Sequence, residues 1–82
     1  MKVILSETAT KQLQKLPKVV HPRILRKLHL LESDPLVGKS LQSDLEGNYS
    51  VRAWPYRIFY VLVKEKRILL VTAIKHRQGA YK

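Results

Sequence analysis

The residues best suited to chemistry are a set of cations in the second half of the chain: Arg52, Arg57, Lys75, His76 and Arg77. A guanidinium group stays charged at any working pH and grips phosphate bidentately. An imidazole can exchange protons near neutrality. Other routes to catalysis are closed. The sequence has no cysteine, which excludes a disulfide scaffold, a thiolate metal site and a cysteine nucleophile. His21, His29 and His76 have no metal-ligand spacing and no carboxylate joins them, so no zinc site is expected. There is no phosphate-cradling glycine loop and no GxSxG motif.

Those cations need a scaffold that brings them together. The stretch from Asn48 to Tyr81 reads NYSVRAWPYRIFYVLVKEKRILLVTAIKHRQGAY. It contains three apolar, β-rich runs: Tyr49 to Trp54, Tyr56 to Val63 and Arg67 to Lys75. Pro55 breaks the first junction, and Lys64-Glu65-Lys66 forms the second. Connections this short join antiparallel neighbours. The resulting meander puts the end of run one, the start of run two and the end of run three at one sheet edge. Arg52, Arg57, Lys75, His76 and Arg77 converge there, on strands about 4.8 Å apart. In run one, Tyr49, Val51 and Ala53 face one way, and Ser50, Arg52 and Trp54 the other. Run two is apolar on both faces from Ile58 to Val63, as a covered central strand should be.

The first half supplies the layer that covers the sheet. Met1 to Leu5 is a short strand. Ser6 is an N-cap and Glu7 suits a first helical turn. Ala9, Leu13 and Leu16 recur at helical spacing until Pro17 ends the helix near Leu16. A second helix spans about Val19 to Glu32, with Pro22 in its first turn. Val20, Ile24, Leu28 and Leu31 form its apolar stripe, widened by Leu25 and Leu30. Lys18, Arg23, Arg26 and Lys27 make its polar side basic, and Asp34-Pro35 stops it. Leu36 to Gly47 reads as a loop. The expected fold is α+β in the order β-α-α-β-β-β: two antiparallel helices on a four-stranded, mainly antiparallel, twisted sheet. Residues 1–82 form a single domain, with the first strand beside run two or run three.

Charge narrows the function. The 82 residues carry a formal net charge of +10. Residues 1–33 hold seven Lys/Arg and two acids, residues 34–48 one and three, and residues 49–82 eight and one. The excess therefore lies in the helices and sheet, which is the footprint of a nucleic-acid or acidic-protein partner. No apolar run approaches the roughly 20 residues of a membrane span. The start, MKVILSETATK, turns polar too soon for a signal peptide. A soluble cytoplasmic protein with no membrane partner is the expectation.

Four pieces of the chain resemble the RelE/ParE toxin superfamily of toxin–antitoxin systems, and its RelE branch most. They are LQKLP at Leu13 to Pro17, the GNYSVRAWPYRIFY hairpin from Gly47 to Tyr60, the run ILLVTAI, and the ending HRQGAY from His76 to Tyr81. The resemblance implies an endoribonuclease that cleaves mRNA in the ribosomal A site and needs no metal or other cofactor. In that chemistry the 2′-hydroxyl attacks the adjacent phosphate, which requires a base, an acid and positive charge. Arg57 and Arg77 match functional arginines of the family and fall to phosphate binding and transition-state stabilisation. They could instead be surface arginines or carboxylate partners, but six acids cannot pair sixteen bases. Tyr81 matches the C-terminal tyrosine placed at the base or at nucleobase stacking. A phenol, with an ordinary pKa of about 10, is a poor base unless cations lower it. Tyr81 could equally be a terminal aromatic docked on the core.

Arg52 falls where RelE-like enzymes carry a basic residue. Ser50 departs from the pattern, because the best-known type has a lysine there. His76 could substitute as the proton-transfer group, or be structural. Trp54 and Tyr56 could stack bases or belong to the core. The resemblance also implies partners: a short acidic antitoxin that folds on binding, mRNA and the ribosome, and operator DNA only through the antitoxin complex. Three other readings stay open: a ParE-like inhibitor of DNA gyrase, a nucleic-acid-binding module without catalysis, and a decayed toxin.

Overall fold

The computed structural model describes residues 1–34, 39–40 and 48–76, the backbone alone at 39, 40 and 48. The chain runs β1 (Lys2–Leu5), α1 (Glu7–Lys15), α2 (His21–Ser33), β2 (Lys39–Ser40), β3 (Asn48–Ala53), β4 (Tyr56–Val63) and β5 (Ile68–His76). The strand order is β1-β5-β4-β3-β2. The four long strands and two helices are those expected. Strands β3, β4 and β5 form the antiparallel meander, and β1 joins β5 in parallel. Lys39–Ser40 corrects part of the expected loop: these two residues pair with Ser50 and Tyr49 on the outer edge of β3. Two residues are too few for a periodic signal.

Local signals explain the helix limits. Ser6 Oγ accepts the Ala9 N–H at 3.1 Å, capping α1. Leu16, held extended before Pro17, closes it. The second helix begins two residues later than expected. Residues 17–20 form a turn in which the Val20 N–H reaches Pro17 O at 2.9 Å, and Pro22 then falls in the first turn. Ala9, Ile24, Leu28 and Leu31 are buried against Val51, Ala53, Ile58, Tyr60, Leu69, Val71 and Ile74. Leu25 and Leu30 do not widen this stripe as expected. They are 54% and 39% exposed, because the sheet covers only one narrow face of α2. Both helices lie on the same side of the sheet, α1 over β5 and α2 from β3 to β1.

The core side chains of β5 show how the sheet is registered. Leu69 and Val71 are buried, and then Ile74, so the alternation changes phase between them. The ladder shows why. Phe59 pairs with Ala73 but Tyr60 pairs with Val71, leaving Thr72 as an extra residue. This is a β-bulge. Beyond it Ile74 faces Ile58 in the core, and Lys75 takes the opposite face. The bulge lies just past the end of β1, where β5 would otherwise lack outer-edge partners. The α1 region supplies them: the Ser6 N–H donates to Val71 O (2.9 Å), Ser6 Oγ to Thr72 O (3.2 Å), and Ile74 N–H to Gln12 Oε1 (2.6 Å). Thr72 Oγ1 donates across the ladder to Phe59 O at 3.3 Å.

Ser6 therefore has two tasks, helix cap and bulge anchor. Ser6→Ala should lower stability by about 1–2 kcal/mol. In a domain of this size that is a fall of several degrees in Tm, on the order of 4–8 °C per kcal/mol. Thermal unfolding by circular dichroism measures it, and an unchanged Tm would contradict both assignments.

Candidate functional site

The meander ends in two rows of residues. The register Arg52↔Arg57 and Arg57↔Lys75 sets three cations side by side across β3, β4 and β5. In-register residues share a face, so the three form one row on the face away from the helices. Neighbouring strands are about 4.8 Å apart, which suits the oxygens of one phosphodiester and its neighbour. Arg52 and Lys75 are exposed and Arg57 is half-buried. The next row, Ala53↔Tyr56↔His76, faces the helix side. There the His76 ring meets the Tyr56 ring edge-on, centroids 5.3 Å apart at 90°.

Like charges in register repel unless an anion answers them. Among the described residues, the two ion pairs are Lys11–Glu7 at 3.2 Å and His29–Glu32 at 3.9 Å, both on the helix surfaces. Neither involves Arg52 or Lys75, which meet no acid among those residues. An incoming phosphate is the anion this arrangement suits.

The sequence-derived site residues thus divide into three groups. Arg52 and Arg57 come together, with Lys75 beside them. His76 lies at the same sheet end, one residue past the row, with its ring on the helix side against Tyr56. Arg77 and Tyr81 lie outside the described residues. Ser50 is buried at 6% exposure, aligned with Phe59 on β4 and Lys39 on β2. Trp54 is 56% exposed at the hairpin turn, with a cis bond to Pro55, whereas Tyr56 packs partly into the core.

One group of basic residues near the site was not joined to it by sequence reasoning. Arg23, Arg26 and Lys27 of α2 reach the end of β3, and Arg23 Nη1 donates to Trp54 O at 3.5 Å. With Leu30, Arg52 and Trp54 they line a cleft of about 500 Å³. The signal was in the spacing: 23, 26, 27 and 30 lie on a single helical stripe. What the spacing could not give was the neighbour of that stripe.

The family described as ParE toxin of type II toxin-antitoxin system, parDE, matches residues 3–81. The chain belongs to this toxin family. Toxin RelG of Mycobacterium tuberculosis is 35% identical over 81 residues, covering 92% of this chain and 88% of that one. Toxin RelE of the same organism is 29% identical over 82 residues, covering 98% and 84%. The toxin–antitoxin complex RelBE2 of M. tuberculosis contains a chain that superposes with a TM-score of 0.83 at 31% identity, covering 93% of this chain and 96% of that one. The protein is therefore a type II toxin of the RelE/ParE superfamily, as the residues at the hairpin and β5 suggested.

The cation row makes a stability prediction for this toxin. Arg52→Gln should raise the free energy of unfolding by a few tenths of a kcal/mol at low salt, because it removes a like-charge cross-strand neighbour. The gain should vanish at about 1 M salt, where screening acts within about 3 Å. Denaturant titrations at both salt levels measure it. Loss of stability at low salt would mean that Arg52 has an attractive partner.

Proposed function

We propose that this toxin is an endoribonuclease that cleaves messenger RNA on the ribosome, in the A site, and so stops translation. The observation that carries this reading is the in-register row Arg52–Arg57–Lys75 on the open sheet face. In the reaction the 2′-hydroxyl loses its proton and its oxygen bonds to the adjacent phosphorus. A phosphorane forms, the bond to the 5′-oxygen breaks, and that oxygen takes a proton. Negative charge grows on the non-bridging oxygens during the attack. Arg57 and Arg52 bind and stabilise that charge, and Arg77, which follows β5 in sequence, adds a third guanidinium. Tyr81 serves the proton transfers; His76, whose ring packs on the helix side against Tyr56, would reach the phosphate only around the end of β5. The reaction as written needs no metal or cofactor.

The partner reading follows the same charge. A cognate antitoxin, short and acidic, folds over the basic surface and blocks it. The likeness to the toxin of RelBE2, solved with its antitoxin, supports this. Operator DNA is contacted only through that complex. A second reading keeps some support from the ParE family match and from Ser50, where a buried hydroxyl stands in place of a basic group. In it the toxin inhibits DNA gyrase and leaves RNA intact.

Induced expression of the wild type and of Arg57→Ala separates these readings, with primer extension on a translated message. The wild type should arrest growth and produce cuts in frame with translation. Arg57→Ala should cut more slowly by about 10²–10³-fold, the scale for loss of one donor to a transition-state oxyanion. Arrest without cuts would overturn the nuclease reading in favour of gyrase. A fully active Arg57→Ala would remove the central arginine from the site.

A further inference from the structure

The cleft between α2 and the hairpin turn lies beyond the row proposed for catalysis, and its lining has a chemistry of its own. Arg26 and Lys27 present charge from α2, and Arg52 presents it from β3. None of these three makes an ion pair among the described residues. Arg23 is committed to the turn through its bond to Trp54 O, which ties the helix wall to the hairpin wall. Trp54 and Leu30 supply the apolar surface, and both are exposed. The cleft volume, about 500 Å³, lies within the usual range for a small-molecule-sized ligand. An exposed aromatic side chain beside several cations is the combination that holds single-stranded nucleic acid: a base stacks on the ring and the cations take the backbone. Arg52 belongs both to this cleft and to the cation row, so one surface continues around the β3 edge from the row into the cleft.

We propose that this cleft is a second binding site for single-stranded RNA, holding one base on the Trp54 indole and flanking phosphates on Arg26 and Lys27. It takes nucleotides next to those that cross the Arg52–Arg57–Lys75 row, and to that extent it rests on the RNA reading above. The continuity through Arg52 favours RNA over an acidic peptide. A peptide carboxylate could meet the same cations, but the cleft's exposed ring, like the row, is matched by a nucleic acid.

Trp54 is the only tryptophan in the chain, so its fluorescence reports on the cleft alone. The probe is a short 2′-O-methyl oligoribonucleotide, which cannot be cut by 2′-hydroxyl attack. Titrated into the full-length toxin, it should quench Trp54 in a saturable way. Arg26→Ala with Lys27→Ala should weaken binding at least tenfold at about 50 mM salt and reduce the slope of log K against log salt by about 1.4. Trp54→Ala, read by anisotropy of a labelled oligonucleotide, should weaken binding at least fivefold. Circular dichroism must show each variant folded, and Arg23 is left intact because it braces the turn. Arg57→Ala, which removes a contact of the row, should weaken the oligonucleotide's affinity but leave the Trp54 quench at saturation. Binding without quenching, or an unchanged affinity in the folded double variant, would overturn the proposal. Tighter quenching by an acidic peptide than by RNA at equal salt would overturn it in favour of a protein ligand. The two readings fail separately. A quench in a protein that cuts no message would keep the cleft and refute the nuclease. Cutting without a quench would do the reverse.

Discussion

The structure depends on one irregularity in β5, the extra residue at Thr72 and the bonds that hold it. Side chains on a strand alternate strictly, so a single inserted residue exchanges the faces of everything beyond it. Upstream of Thr72, Leu69 and Val71 face the helices. Downstream, Ile74 does, and Lys75 turns to the open face to complete the row with Arg57 and Arg52. Without the bulge, Ala73 would replace Ile74 opposite Ile58 in the core, Ile74 would turn to the open face beside Arg57, and Lys75 would leave the row for the place opposite Tyr56. Filling that core position with a methyl group in place of an isoleucine side chain, and exposing the isoleucine, would cost apolar burial. Core packing and site geometry therefore select the same register. The helix α1 secures it from the side, because Ser6 and Gln12 serve the edge of β5 where β1 has already ended.

This arrangement separates the two jobs of the sheet. One face is closed by α1 and α2 over a core that includes Tyr60, whose ring stacks on Tyr49 at 5.5 Å. The other carries cations at the end of the meander, supported by strands rather than by loops. A side chain on a strand at fixed spacing is better positioned than one on a mobile connection, which favours a role for the row in reactions where placement and charge do most of the work. The same placement leaves Arg52 and Lys75 without an acid partner among the described residues. Cations in register repel one another, and a net charge of +10 on 82 residues adds to that repulsion. An anionic partner would relieve this, and its binding would then be linked to stability.

Much of this was legible in the sequence, and the reasons differ by element. The meander could be read because Pro55 and Lys64 to Lys66 interrupt three otherwise continuous β-rich runs. Convergence of Arg52, Arg57 and Lys75 followed from strand direction alone. Ser6 was legible as a cap by its type and position, though its second role at Thr72 was not. The bulge left no mark, because ILLVTAI is apolar at nearly every position and a change of phase inside it alters no pattern. Leu25 and Leu30 were misplaced for a related reason: hydrophobicity marks a side chain that can be buried, but the width of the covering sheet decides whether it is. His76 was correctly brought to the sheet end, but its pairing with Tyr56 on the helix side depends on the register that the bulge sets. The α2 cations could be placed on one stripe, but not against Trp54, because that contact is between elements far apart in sequence.

The central claim is that a phosphodiester meets the row Arg52–Arg57–Lys75 on the open face of the sheet. The measurement that tests it most directly is an NMR titration of the isotopically labelled toxin with a non-cleavable RNA dinucleotide containing a single 2′-deoxy sugar. The account predicts saturable shifts at the backbone amides of Arg52, Arg57 and Lys75 and at the Arg52 and Arg57 guanidinium N–H groups. The α1 amides from Glu7 to Lys15 should stay unmoved. Shifts confined to the helices or to β1, with the three strands silent at saturation, would contradict it.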